Sequence, residues 1–268
     1  MSQTSQPIGI FDSGIGGLSV AYAILHQLPA ELLLYFGDTA HIPYGTKPAS
    51  TIRRYSENIC RFLLDQGCKL IVVACNTASA AALNHLRHLW PDVPIVGMEP
   101  AVKPGALATR TGKVGVLATA GTFKSQRYAS LMHRFAKEVE LLENPCLGLV
   151  ERIEAGQLDG PETEQLLRSI INPMLAAGAD AFVLGCTHYP FVQPLIEKIA
   201  GPDIAIINPA PAVARQVERL LHESGQLSME PLPHHRFFIS GKDEDGHFKR
   251  MAKTLLGFSP ELISGHLI

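Results

Sequence analysis

Two cysteines carry the strongest chemical signal in the sequence. Cys75 follows the apolar run Leu70–Ala74, and Cys186 follows Ala181–Leu184 and Gly185. Each comes after a small residue and leads into hydroxyl or amide side chains: Asn76, Thr77 and Ser79 in one case, Thr187 in the other. A thiol at the end of a buried strand and near the start of a helix meets the positive end of that helix, which favours the thiolate. Asn76, Thr77 and Ser79 are candidate caps for the first of those helices. Two such thiols fit three chemistries: a redox disulfide, metal ligation, or acid–base work on two faces of one substrate. No CxxC is present, and the clustered Cys/His spacing of a metal site is missing. An unperturbed thiol titrates near about 8.5, so modest tuning suits it to proton transfer near neutrality.

Each thiol has a candidate polar helper. Asp12 ends the first apolar run and opens Asp12-Ser13-Gly14-Ile15-Gly16-Gly17. This glycine-rich turn offers backbone N–H groups to an anion, either a carboxylate or a phosphate. It lacks the Gly-Lys-Ser/Thr of a Walker A loop and is only a partial dinucleotide fingerprint. His188 stands two residues beyond Cys186, in Cys186-Thr187-His188-Tyr189-Pro190. The donor-rich segment from Gly37 to Gly45 comes after the second apolar run and is expected in the pocket wall. Cys60, Cys68 and Cys146 have no comparable polar company and read as small buried hydrophobes.

Elements that could hold these residues are legible in the apolar runs. Ile8–Phe11, Leu32–Phe36, Leu70–Ala74, Lys113–Leu117, Ala181–Leu184, Ala205–Ile207 and Phe237–Ile239 read as strands. They are continuously apolar, as parallel strands covered on both faces are. Helical segments are expected over Leu18–Gln27, Thr51–Gln66, Ser79–Leu89, Lys124–Phe135, Glu162–Ala177, Phe191–Ala200, Pro211–Glu223 and Asp245–Leu256. The alternation predicts open α/β sheets, whose chemistry lies beyond the carboxyl ends of the strands.

An internal echo accompanies that alternation. Gly9–Gly14 resembles Gly115–Ala120 at an offset of 106 positions, and Ile71–Thr77 resembles Phe182–Thr187 at about the same offset, 111. The echo predicts a duplicated lobe. The expected architecture is α/β: two pseudo-symmetric open-sheet lobes with mostly parallel strands and the active site at the lobe interface. Residues 1–98 plus 209–268 would form the first lobe and 99–208 the second, with Pro91–Pro104 and Asn208–Pro211 as linkers. A third turn-rich cluster is Leu227–His235.

Composition bounds the partners. The 268 residues are 46% hydrophobic and 18% charged, with 23 Lys+Arg against 25 Asp+Glu. A large core is therefore expected and wholesale disorder is excluded. A net charge of −2 provides no basic field for nucleic acid. Met1–Pro7 is polar and lacks the apolar stretch of a secretory signal, and five cysteines are an odd number. Reduced thiols in a cytoplasmic protein are the expectation. No apolar run approaches the roughly 20 residues of a membrane span.

Together, Phe11-Asp12-Ser13-Gly14-Ile15-Gly16-Gly17, Ile42-Pro43-Tyr44-Gly45, Cys75-Asn76-Thr77-Ala78 and Gly185-Cys186-Thr187-His188-Tyr189-Pro190 resemble bacterial glutamate racemases, in the family's order and from about Ile8 to Leu256. The Cys-Asn-Thr-Ala element recurs across the wider Asp/Glu racemase group. The Cys-Thr-His-Tyr-Pro element points to glutamate, since aspartate enzymes commonly carry an acidic residue where His188 stands.

The resemblance implies cofactor- and metal-independent interconversion of L- and D-glutamate, supplying D-glutamate for peptidoglycan. It implies Cys75 as the base for D-glutamate and Cys186 for L-glutamate, assisted by Asp12 and His188, with Glu151 a further acidic residue near the site. Ser13, Pro43, Tyr44, Gly45, Asn76, Thr77, Thr119 and Thr187 would bind substrate, along with Asp12 and His188. A homodimer is compatible with the family, and a regulatory ligand is not specified. Alternatives are a related racemase for aspartate or a hydantoin, a decarboxylase of related fold, a binding protein for a small carboxylate, and a redox protein.

Overall fold

The computed structural model describes residues 3–135, 139–230 and 234–264. In chain order the elements are β1 (Ile8–Asp12), α1 (Leu18–Gln27), β2 (Leu33–Gly37), α2 (Ala49–Asp65), β3 (Leu70–Val73), α3 (Asn76–Leu89), β4 (Ile95–Gly97), α4 (Val102–Ala108), β5 (Lys113–Leu117), α5 (Ala120–Phe123), α6 (Gln126–Phe135), β6 (Glu140–Asn144), α7 (Leu149–Glu154), α8 (Pro161–Ala176), β7 (Ala181–Leu184), α9 (Gln193–Ala200), β8 (Ala205–Ile207), α10 (Ala210–Glu223), β9 (Arg236–Ile239), α11 (His247–Leu256) and β10 (Glu261–Ser264).

The chain divides into two compact units, Met1–Met98 with Ala210–Ile268, and Glu99–Pro209. The first unit holds a six-stranded sheet in the order β10-β9-β2-β1-β3-β4, and the second a four-stranded sheet in the order β6-β5-β7-β8. All strand pairs are parallel. The four strands β2-β1-β3-β4 repeat the order of β6-β5-β7-β8, so the two echoing sequence pairs occupy matching strands. In the first sheet, β9 and β10 add onto β2 as a C-terminal extension.

Burial explains the apolar runs. Every residue of β1, β2, β3 and β7 is buried, as expected of strands with helices on both faces. Around β1 and β3 the core gathers Phe11, Leu34, Phe36, Ile59, Leu63 and Val73. Around β5 and β7 it gathers Val102, Val114, Val116, Tyr128 and Val183.

Several expectations are corrected. Pro91–Pro104 is not a bare linker, because it contains β4 and the start of α4. Asn208–Pro211 likewise runs into α10. Helix α3 starts at Asn76 rather than Ser79, and the segment expected as one helix from Lys124 is preceded by the short α5. Strands β6 and β10 and helix α7 are additions to the expected set. Of the cluster Leu227–His235, residues 231–233 lie outside the described residues, as do residues 1–2 of the N-terminal segment.

Candidate active site

In the first unit, the candidate site residues gather where β1, β2 and β3 end. Ala74 donates its N–H to the Phe11 carbonyl at 2.7 Å, which extends the β3–β1 ladder and delivers Cys75 just past the sheet edge. Cys75 is the N-cap of α3, and its Sγ accepts the Ala78 N–H at 3.4 Å. The expected caps Asn76, Thr77 and Ser79 are therefore inside the helix. Ser79 instead donates to the Val73 carbonyl and accepts the Met98 N–H, bracing β3 against the chain beyond β4. The Cys75 thiol lies 3.9 Å from Ser13 Oγ.

Asp12 is fully buried, and its Oδ2 accepts the N–H groups of Gly14 at 3.2 Å and Gly17 at 2.9 Å. The glycine-rich turn is therefore not simply open to an external anion, because two of its N–H groups hold the protein's own carboxylate. Gly17 is required by proximity: a Cβ there would come within 2.6 Å of Asp12 Cβ and 2.8 Å of the Tyr35 hydroxyl. Tyr35 in turn donates to the Gly14 carbonyl at 2.7 Å.

The loop after β2 adds a second polar cluster. Asp38 is fully buried and accepts the Tyr44 hydroxyl at 2.6 Å, with the His41 ring Nδ1 at 2.8 Å. Burial, then the Asp38 charge, keeps the Tyr44 phenol far above its ordinary range, so it stays a neutral donor. Pro43 and Gly45 flank it, both partly exposed, with a cis peptide bond between Ile42 and Pro43. Thr77 is buried in the first turn of α3. Asn76 is buried too, yet neither its amide oxygen nor its amide nitrogen has a hydrogen-bond partner among the described residues. Buried polar atoms are normally paired, so this amide is available to a ligand.

The second unit repeats the strand geometry. Gly185 donates to the Leu117 carbonyl at 2.6 Å, as Ala74 does to Phe11, and delivers Cys186 beyond β7. Glycine is needed there because a Cβ would approach Ala118 Cβ to 2.7 Å and the Leu117 carbonyl oxygen to 2.8 Å. Past the thiol the two units diverge. Cys186 leads into a single 3-10 turn, Tyr189–Val192, before α9, where Cys75 caps a full helix. The thiol's polar neighbour is a side chain, with Cys186 Sγ 3.6 Å from His188 Nδ1.

On its other edge, His188 Nε2 is 2.5 Å from Glu154 Oε1. Burial works against the His188 cation, but the contacts with Cys186 and Glu154 prevail and raise its pKa well above the ordinary value. Thr187 is buried beside it, and Thr119, partly exposed after β5, caps α5 by accepting the Thr122 N–H at 3.4 Å.

Glu154 is not singled out by the sequence alone. Glu151 is exposed one turn earlier in α7, and its charge bears on the Tyr189 hydroxyl. The two glutamates share a helix face at a spacing of three residues, so the carboxylate that meets His188 could not be told from spacing. Cys60, Cys68 and Cys146 are buried. Burial raises all three thiols, Cys68 and Cys146 to about 12 and Cys60 further, which suppresses their nucleophilic form. Among the described residues, no group of three or more His, Cys, Asp or Glu is placed to hold a metal ion. No described helix is long and apolar enough to cross a membrane.

Two parallel sheets share a four-strand order, and in each the corresponding strand leads to a buried thiol. The Asp/Glu/Hydantoin racemase family model matches residues 9–217, and the chain belongs to that family. Within it, the likeness is to glutamate racemases. The glutamate racemase of Pseudomonas aeruginosa PAO1 is 51% identical over 263 residues, covering 98% of each chain. The crystal structure of glutamate racemase from Francisella tularensis in complex with D-glutamate matches with a TM-score of 0.84 and 33% identity, over 97% of this chain and 96% of that one. The Escherichia coli glutamate racemase, in complex with L-glutamate and the activator UDP-MurNAc-Ala, matches with a TM-score of 0.84 and 31% identity, over 97% and 98% of the two chains.

Proposed function

We propose that this chain is a glutamate racemase that interconverts L- and D-glutamate by proton transfer at Cα, using Cys75 and Cys186 and no cofactor. The observation that carries the reading is the equivalence of Cys75 and Cys186, each delivered past the end of the third strand in a repeated 2-1-3-4 order. The Asn76 amide supports it from the binding side, as a buried polar group available to an amino-acid ligand.

The chemistry requires two bases. The Cα proton of an amino acid is very weakly acidic, and the neighbouring carboxylate makes its removal harder. Fixed hydroxyl, amide and backbone donors at the strand ends stabilise the charge that develops on that carboxylate. The intermediate is planar, so one group removes a proton from one face and a second delivers a proton to the other.

With L-glutamate, the Cys186 thiolate takes the Cα proton and the Cys75 thiol gives one up, which leaves Cys186 protonated and Cys75 as thiolate. D-glutamate runs the same exchange in reverse. Asp12 assists Cys75, while His188, oriented by Glu154, assists Cys186. Ser13, Pro43, Tyr44, Gly45, Asn76, Thr77, Thr119 and Thr187 bind the substrate. The reading includes a cytoplasmic location and a supply of D-glutamate for peptidoglycan.

The test is to incubate purified protein with L-glutamate in D2O, without added cofactor, and separately with L-aspartate. D-Glutamate carrying deuterium at Cα is the expected product. Saturable glutamate binding without Cα exchange would point to a carboxylate-binding protein instead, and preferential turnover of aspartate to a different member of the family.

A further inference from the structure

We propose that Ser240 is a positioning residue for the reaction, acting through Asp38 on the loop that carries Tyr44. The inference rests on the proposed substrate-binding role of that loop. Ser240 lies just beyond β9, in the C-terminal extension of the first unit's sheet, and is buried. Its backbone N–H donates to the Gly37 carbonyl at 3.0 Å, continuing the β9–β2 ladder. Its hydroxyl donates to Asp38 Oδ1 at 2.6 Å and accepts the Ala40 N–H at 3.1 Å.

Ser240 thereby ties both ends of one device. Asp38 is a fully buried carboxylate whose partners include Ser240, His41 and Tyr44. Hydrogen bonds to a buried charge are among the stronger kind, and removing one donor leaves that charge less satisfied. The Tyr44 hydroxyl depends on Asp38 as its acceptor, and Ala40, four residues earlier, depends on Ser240 itself. The next residue repeats the tie, with the Gly241 N–H donating to Thr39 Oγ1 at 3.0 Å. A segment some two hundred positions away in sequence therefore sets where the loop after β2 stands. None of these contacts places Ser240 itself on substrate, so its effect passes through Asp38.

The experiment compares Ser240→Ala with the unaltered chain, and both with the same change on an Asp38→Asn background. The expected result is a rise in KM for both enantiomers of about tenfold, the scale of one charge-assisted hydrogen bond, with kcat changed much less. On the Asp38→Asn background, the Ser240 change should add little. An activity-independent readout is the ring Cζ signal of Tyr44 in 13C-tyrosine-labelled protein, assigned by its loss in Tyr44→Phe. That signal should move in Ser240→Ala without substrate.

An unmoved Tyr44 signal with unchanged KM overturns the proposal, and so does full additivity with Asp38→Asn. If Ser240→Ala does not fold, Ser240→Cys, close in volume and a much weaker donor, is read in the same way. If the unaltered chain fails to racemise glutamate, the functional reading fails, and the Tyr44 signal still decides the role of Ser240.

Discussion

Glu154 Oε1 stands 2.5 Å from His188 Nε2, while the opposite ring nitrogen of His188 faces Cys186 Sγ at 3.6 Å. The imidazole therefore connects a carboxylate on one ring nitrogen with a thiol on the other. The carboxylate fixes the ring and favours its cation against the cost of burial.

Glu154→Gln removes the charge behind His188. An NMR titration should show the His188 pKa falling from its raised position. His188 is raised on folding, so its contribution to stability is fully present below the ordinary histidine value of about 6.5 and is lost as pH rises through the higher folded value. The variant should flatten that alkaline decline. Turnover of L-glutamate should fall by about 10- to 100-fold, the scale of a charge-assisted hydrogen bond, and more than KM changes. An unmoved His188 titration would show that Glu154 does not set its charge.

Gly17→Ala tests the turn that holds Asp12. The added methyl meets Asp12 and the Tyr35 hydroxyl at distances shorter than van der Waals contact, so the turn must shift and loosen its grip on the Asp12 carboxylate. A loss of about 1–3 kcal/mol in denaturant unfolding is expected. Activity should fall beyond what the unfolded fraction explains. Asp12→Asn, which keeps the shape, should slow D-glutamate more than L-glutamate. Equal losses in both directions would make Asp12 a binding group only.

The three remaining cysteines should be silent. With Cys68 and Cys146 raised to about 12 and Cys60 further, little thiolate exists at a pH of about 8. Iodoacetamide treatment of native protein at that pH, read by peptide mass mapping, should label Cys75 or Cys186 and leave the other three until the chain is unfolded. Labelling of Cys60, Cys68 or Cys146 in native protein would contradict the suppression of their thiolates.

Lys69 supports the fold away from the thiols. Its ammonium pairs with Glu31 at 2.7 Å, both side chains being buried, and donates to the carbonyls of Thr4 and Gln226. Lys69→Met leaves the Glu31 charge buried without its ion-pair partner, at a cost of about 3–5 kcal/mol. A thermal melt should show a clear drop in Tm, partly recovered by adding Glu31→Gln. An unchanged Tm would mean that water reaches Glu31.

Burial decides which elements the sequence displays. Strands covered on both faces, such as Leu70–Val73 and Ala181–Leu184, are apolar throughout and therefore legible, as are the thiols at their ends. Strand β6, Glu-Leu-Leu-Glu-Asn, pairs with β5 at the sheet edge and keeps exposed charges, so it gives no apolar run. Strand β4 is three residues long in a proline-rich stretch. Glu154 is hidden because local spacing leaves it equivalent to Glu151. The role of Asp38 is hidden because its partner Ser240 comes from the opposite end of the chain.

The proposed mechanism divides the proton transfer between two thiols. The most direct measurement is glutamate racemisation, followed by circular dichroism in D2O, for Cys75→Ala and Cys186→Ala beside the unaltered protein. Each single variant should lose racemisation while remaining folded. Full racemase activity in either variant would contradict the two-thiol mechanism.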